Sequence, residues 1–413
     1  MTVLAEASDG GFAASPPTAR QEWRASAGVV AGAAIGLGTG FSVWAYVASL
    51  FVLPLGDAFG WTRGQVAGAA ATGLVGAALA PFVGRLADRV GIRPVVLIST
   101  AVLGAMYLAL SFMPPSIGAF YLLMTLLGVA GLGTIGITYT RAVASWFVAS
   151  RGLALGVALL GVSVSAMLLP PLLSSAMTEF GWRGGYWLLS GSALLVGLPA
   201  AYLLVRERPA ATAAQREPLP WRVIVGSPVF WILVVAIIAV NIPGAGILGQ
   251  LQPMLVDVGL SRSTAASMLS VYAAAIFVGR LGFGFLLDRM SPPVIAAIPF
   301  GTPIIGAILL MTVEISLPVA ILVALLLGLS AGAEMDVVGF MVARYFGLRH
   351  YSTLFGAMMT ALVIASAAGN ILYGQNYDAT GSYGFALALS IGGYGLGAVL
   401  MLLLLKRRPV LVD

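Results

Sequence analysis

The chain has 413 residues, of which 60% are apolar and only 9% charged, with 52 glycines and no cysteine. Soluble domains carry about 25% charged residues, so this composition cannot cover a water-facing surface and excludes an ordinary cytosolic enzyme, a nucleic-acid binder and a disulfide-stapled secreted domain. The net charge of +6 must therefore be read as membrane topology. With His350 as the sole histidine and no thiol, neither a Cys/His metal site nor a thiolate nucleophile can be assembled. No GxSxG elbow and no GxxxxGK[ST] phosphate loop is present. No cofactor is expected, and any work the chain does must be driven by a gradient or a partner.

In chain order, residues 1–25 come first, a polar stretch with Glu6, Asp9 and Glu22. It lacks the basic start, short apolar core and cleavage site of a signal peptide, and is expected to be a disordered cytoplasmic tail. A membrane-crossing helix needs about 20 apolar residues. Twelve such runs follow, approximately 26–56, 63–84, 94–113, 116–145, 152–175, 184–205, 226–255, 263–287, 293–313, 316–344, 351–374 and 382–405. The only long charged, Pro-containing stretch between runs lies within residues 206–225, a predicted cytoplasmic linker. It divides the chain into six-helix bundles at 26–205 and 226–405, with a cytoplasmic tail at 406–413.

Twelve spans place both ends on one side. With that side inside, sixteen Lys and Arg residues fall in inner segments and three, Arg63, Arg183 and Arg262, in outer loops. That bias puts both termini in the cytoplasm and explains the positive charge without a nucleic-acid partner. The predicted location is the plasma membrane. Only Arg141 and Arg280 remain inside spans.

The two halves repeat. Gly84-Arg-Leu-Ala-Asp88-Arg89 recurs as Gly284-Phe-Leu-Leu-Asp288-Arg289, and Trp146-Phe147 followed by Gly156 is echoed by Tyr345-Phe346 followed by Gly356. Duplicated bundles are how secondary transporters are built, with a site near the midplane where the halves meet.

The loop Gly84-Arg85-Leu86-Ala87-Asp88-Arg89-Val90-Gly91-Ile92-Arg93 resembles the signature loop of the major facilitator superfamily. Asp88 stands at a helix end where it can accept hydrogen bonds from a neighbouring helix N-terminus and an arginine. Gly84, Asp88, Arg89, Asp288 and Arg289 are accordingly expected to form a conformational latch; a plain topogenic turn is the simpler alternative. Phe59-Gly-Trp61-Thr-Arg63 and Trp146-Phe147-Val-Ala-Ser-Arg151-Gly152-Leu-Ala-Leu-Gly156 resemble the monocarboxylate porter family and its oxalate/formate antiporter-like bacterial branch. The resemblance runs from about Arg24 to Arg408. It implies an all-α major facilitator fold of twelve transmembrane helices in two pseudo-symmetric bundles. It also implies transport of small organic anions coupled to protons or a counter-anion, by a chain expected to act as a monomer in the lipid bilayer.

An ionised side chain in mid-membrane is costly and is a functional candidate by default. Arg280 lies deep in the eighth span, where the repeat-related residue is Ala80, so the fold does not require a cation there. Arginine keeps its charge and meets a carboxylate with two parallel hydrogen bonds. By the resemblance, the anion-binding arginine of the eighth span falls on Arg280; otherwise it pairs internally with Glu334 or Asp336. Those two acids are two residues apart in the tenth span, so on a helix they point about 200° apart. Burial disfavours an ionised carboxyl and a nearby arginine favours it, so such a group can take up and release a proton as the cavity opens and closes. Asp336 is the favoured proton carrier, with Glu334 as the alternative and a fixed helix–helix contact as the other role for either.

Arg141 is expected to snorkel or to contact an inner gate, or to serve as a first substrate anchor on the cytoplasmic path. Tyr46 and Tyr139 are candidate cavity-lining substrate contacts, with packing against other helices the alternative. The resembling antiporters place a second cation, a lysine, in the eleventh span, and Leu362 occupies that position here. One central cation suits a monoanion. The expected function is a secondary active transporter of a small organic anion, a monocarboxylate moved with a proton by alternating access. Proton-driven export of amphipathic compounds and oxalate/formate-like anion exchange are the alternatives.

Overall fold

The structure is a computed structural model that describes residues 18–147, 149–207, 221–287, 289–312, 314–347 and 351–407. Among them there are helices and no strand. Twelve helices are long and apolar enough to cross a membrane: α1 (Phe41–Phe59), α2 (Arg63–Ala87), α3 (Ile92–Ser111), α4 (Ile117–Ala144), α5 (Arg151–Phe180), α6 (Trp182–Leu204), α7 (Pro228–Asp257), α8 (Arg262–Leu287), α9 (Pro292–Thr312), α10 (Leu317–Phe346), α11 (Thr353–Thr380) and α12 (Gly384–Lys406). Many of their large apolar side chains are exposed, for example Leu195, Leu122, Phe385 and Ile98. In water such surface would be a liability; against lipid it is the expected covering of the rods.

The chain is already helical over Ala19–Thr39, so the expected tail of residues 1–25 ends earlier than its polarity suggests. Thr18 and Gln21 form a capping box that starts this helix. Trp23 meets Phe147 with ring centroids 5.2 Å apart. Glu22 is buried, and its carboxylate accepts hydrogen bonds from the Ala149 and Ser150 backbone N–H groups at 2.9 and 3.0 Å. A charge that looks solvent-bound in the sequence thus caps the N-terminus of α5. Of the predicted linker, residues 208–220 lie outside the described residues, and a short helix, Trp221–Gly226, precedes α7.

Close helix approach is made by glycine. A Cβ on Gly36 would stand 2.2 Å from the Tyr139 hydroxyl, and one on Gly38 2.7 Å from the Gly161 carbonyl. The most extensive contact in the molecule joins α8 to α10. There a Cβ on Gly332 would lie 2.2 Å from the Ile276 carbonyl and one on Gly328 2.3 Å from that of Tyr272, so neither backbone can yield cheaply. Gly332→Val should destabilise the detergent-solubilised protein by roughly 1–3 kcal/mol, read as a lowered Tm. An unchanged Tm would show that α8 and α10 are free to separate.

The two bundles meet through α2 against α11, α5 against α8 and α1 against α7, and they meet unevenly. At the end of the molecule carrying Arg63, a Cβ on Gly374 of α11 would touch the Gly64 Cα of α2 at 2.8 Å. At the opposite end, which carries Arg93, glycines 84, 152, 156 and 356 face open space. The cleft between the bundles is therefore shut at the Arg63 end and parted at the Arg93 end.

Candidate functional site

Glycine-mediated contact of α8 with α10 brings two mid-membrane charges together. The Arg280 Nε lies 3.7 Å from an Asp336 carboxylate oxygen, with side chains 35% and 36% exposed. That distance gives an ion pair and not a hydrogen bond. The Nε is buried and has no hydrogen-bond partner among the described residues. A guanidinium offers five N–H donors in a fixed fork, so Arg280 retains capacity that Asp336 does not use. Tyr46 of α1 lies within electrostatic reach of Arg280, and its ring is 6.5 Å from that of Tyr272 on α8. The charged pair therefore sits where the N-terminal bundle faces the C-terminal one.

Glu334 goes the other way, as the two-residue offset on α10 requires. It is buried inside the C-terminal bundle and accepts a hydrogen bond from the Asn241 side-chain amide on α7. The Asn241 carbonyl oxygen in turn accepts from the Ser366 hydroxyl on α11 at 3.3 Å. Beside Glu334 is a cavity of about 20 Å³ lined by residues including Gly244, Tyr272, Ser330 and Tyr394, enough for one water molecule. Glu334 thus ties three helices of one bundle. Glu334→Gln keeps an acceptor for Asn241 and should leave stability nearly unchanged. Glu334→Leu strands the buried Asn241 amide and should cost about 1–3 kcal/mol, a difference that thermal unfolding of the two variants would resolve.

Other expected site residues are not brought to this pair. Tyr139 is completely buried within the N-terminal bundle. Its ring is clasped by Gly36 and its hydroxyl lies beside that of Thr100, so it is a packing residue of that bundle rather than a cavity contact. Arg141 stands toward the Arg93 end, 3.5 Å from Glu207. The other Glu207 oxygen accepts from the Ile92 N–H at 2.8 Å, capping α3. Arg141 is thereby part of a charge set within the N-terminal bundle and is not brought to the Arg280–Asp336 pair. Leu362 is partly buried and packs against the apolar core, so this position holds no second cation.

The expected latch is only partly in view. Asp288 lies outside the described residues, as does the side chain of Asp88. Gly84 faces open space. Arg289, in the turn after α8, lies with its guanidinium carbon 3.5 Å from the Phe285 ring centroid, and Arg89 is exposed.

Sequence reasoning passed over a group at the Arg63 end. The Arg63 guanidinium donates two hydrogen bonds to the Asp257 carboxylate, at 2.6 and 2.7 Å, and one to the Tyr383 hydroxyl at 2.7 Å. Burial pushes the Tyr383 hydroxyl pKa up, outweighing Arg63. The hydroxyl therefore keeps its proton and donates it to Gln250 at 3.1 Å. The signal was available: Arg63 and Arg262 are the charged first residues of α2 and α8, yet they were counted only as outer-loop charges. Asn241 and Tyr272 gave no such signal, because a lone amide or tyrosine in an apolar run does not announce its partner.

The model of the Major Facilitator Superfamily matches residues 32–370. Monocarboxylate transporter 13 of Rattus norvegicus is 28% identical over 312 residues, covering 73% of this chain and 71% of that protein. An uncharacterised MFS-type transporter of Bacillus subtilis is 25% identical over 364 residues, 85% of this chain and 88% of its own. Among solved structures, a bacterial homologue of the human lysosomal transporter Spinster, in an inward-facing and unoccupied conformation, superimposes with a TM-score of 0.66 at 15% identity. It covers 94% of this chain and 96% of its own, a likeness of fold alone. With the twelve spans, the duplicated bundles and this match along most of its length, the chain belongs to the Major Facilitator Superfamily.

Proposed function

We propose that the protein is a secondary active transporter that moves a small monocarboxylate together with a proton across the plasma membrane. Arg280 holds the carboxylate and Asp336 carries the proton. The observation that supports this most is the loose Arg280–Asp336 pair: an arginine between the bundles whose only ion-pair partner among the described residues is too distant for a hydrogen bond. The kinship with a monocarboxylate transporter of the rat points the same way. The charge distribution supports a cytoplasmic Arg93 end, which makes the parted cleft inward-facing.

Charge bookkeeping gives the coupling. Empty, the Arg280 cation and the Asp336 anion sum to zero. A substrate carboxylate on Arg280 leaves Asp336 as an excess negative charge, and closing the cleft around it is costly. One proton on Asp336 restores neutrality. The empty carrier and the carrier loaded with both ligands can therefore close and reorient, whereas the half-loaded forms cannot. Tyr46 adds a hydroxyl from the opposite bundle, so that the substrate is gripped from both sides only when the bundles approach.

In proteoliposomes, an inward-directed proton gradient should drive accumulation of a radiolabelled C2–C4 monocarboxylate above its equilibrium level, and collapsing the gradient should abolish it. Accumulation of amphipathic compounds under an outward-directed proton gradient, with no carboxylate uptake under the inward one, would favour the exporter reading.

A further inference from the structure

At the Arg63 end a second ion pair accompanies the first. The Arg262 guanidinium lies 2.6 Å from an Asp57 oxygen. Asp57 is on the last turn of α1 and Asp257 ends α7; Arg63 begins α2 and Arg262 begins α8. The acids are 200 positions apart and the arginines 199, the offset that relates Gly84 to Gly284 and Trp146 to Tyr345. Each pair crosses between the bundles, and each is the other's image under the internal duplication. One clasp was thus copied along with the fold.

The copies have diverged. Arg63 is 13% exposed and Asp257 31%. The Arg63 guanidinium carbon stands 3.7 Å from the Tyr377 ring centroid, and the neighbouring Gly64 N–H donates to Asp378 at 2.9 Å. Arg262 and Asp57 are 50% and 62% exposed. The positions of the first half that correspond to Tyr377, Asp378 and Tyr383 are Met177, Thr178 and Arg183, so the second clasp has no counterpart of the ring, the helix-capping acid or the hydroxyl. Exposed single ion pairs contribute little, whereas a partly buried, two-pronged pair with a ring stacked on it is strong.

We propose that the two duplicated clasps are the gate of the Arg63 end and that they are unequal. Arg63–Asp257, with its aromatic brace, sets how often that end opens; Arg262–Asp57 is a near-spectator. Both must break for the bundles to part there, because each spans the same seam. Breaking the braced clasp removes a restraint present only in the state shut at that end, so the equilibrium shifts by the difference.

The absence of native cysteine permits a direct test without substrate, which keeps it independent of what is transported. Spin labels on Glu179→Cys and Ala379→Cys, exposed at the ends of α5 and α11, report the separation of the bundles by pulsed electron resonance in nanodiscs. Asp257→Asn should raise the population of the wide distance at least tenfold. Asp57→Asn should change it less than about twofold. The charge exchange Arg63→Asp with Asp257→Arg should return the narrow distance, showing that the single variant failed through lost pairing and not misfolding. Equal effects of Asp257→Asn and Asp57→Asn, or no effect of Asp257→Asn, would overturn the proposal.

Discussion

Arg280→Leu should lose binding of small carboxylates while the protein still inserts and folds. Removing one partner of a desolvated, hydrogen-bonded charge pair costs about 2–5 kcal/mol, which is roughly 30- to 4,000-fold in affinity. The fold should tolerate the change for two reasons. Asp336 keeps about a third of its surface exposed, so its carboxylate is not abandoned in a sealed core. The repeat-related residue is Ala80, so a neutral side chain suits this helix position. Arg280→Lys keeps the charge but not the planar fork, and should fall between wild type and leucine. Ligand-induced thermal stabilisation, measured with a carboxylate panel on the three proteins, orders them directly. Full stabilisation of the leucine variant would remove Arg280 from the site.

Asp336→Asn should separate exchange from net transport. Asparagine imitates the protonated acid, so the variant loaded with a carboxylate is neutral and can reorient. Emptied, it holds an uncompensated Arg280 cation in the cleft and cannot close. Carboxylate-for-carboxylate exchange should persist and lose its dependence on the proton gradient, while net accumulation should fall to background. A purely structural role for Asp336 would depress both together. Glu334→Gln should leave both largely intact, since Glu334 faces Asn241 inside one bundle and not the seam.

Much of this was legible in the residues because charge is so scarce. Reading the apolar runs between the charges located the twelve spans, and the 200-residue echo divided the chain into two bundles. A two-residue offset on a helix was enough to send Glu334 and Asp336 to opposite sides of α10. Partners across the fold were not legible. Tyr139 was a cavity candidate because periodicity assigns a face without saying which neighbour covers it; Gly36, more than 100 residues away in sequence, decides that. The helix from Ala19 was hidden by Arg20, Glu22 and Arg24, whose polarity imitates a loop, although the Thr18–Gln21 spacing is a helix-start pattern. The clasps at the Arg63 end were hidden for a related reason: topology counting treats an arginine as a label of sidedness and ignores what it holds.

The central claim is that the empty carrier and the carrier loaded with proton and anion are equally neutral. It is tested most directly by carboxylate uptake into proteoliposomes at a fixed inward proton gradient, with the membrane potential set by potassium and valinomycin. The account predicts uptake that rises with the proton gradient and is unchanged between potentials of either sign. Uptake that follows the potential at constant proton gradient would mean that net charge moves with the substrate, and would contradict it.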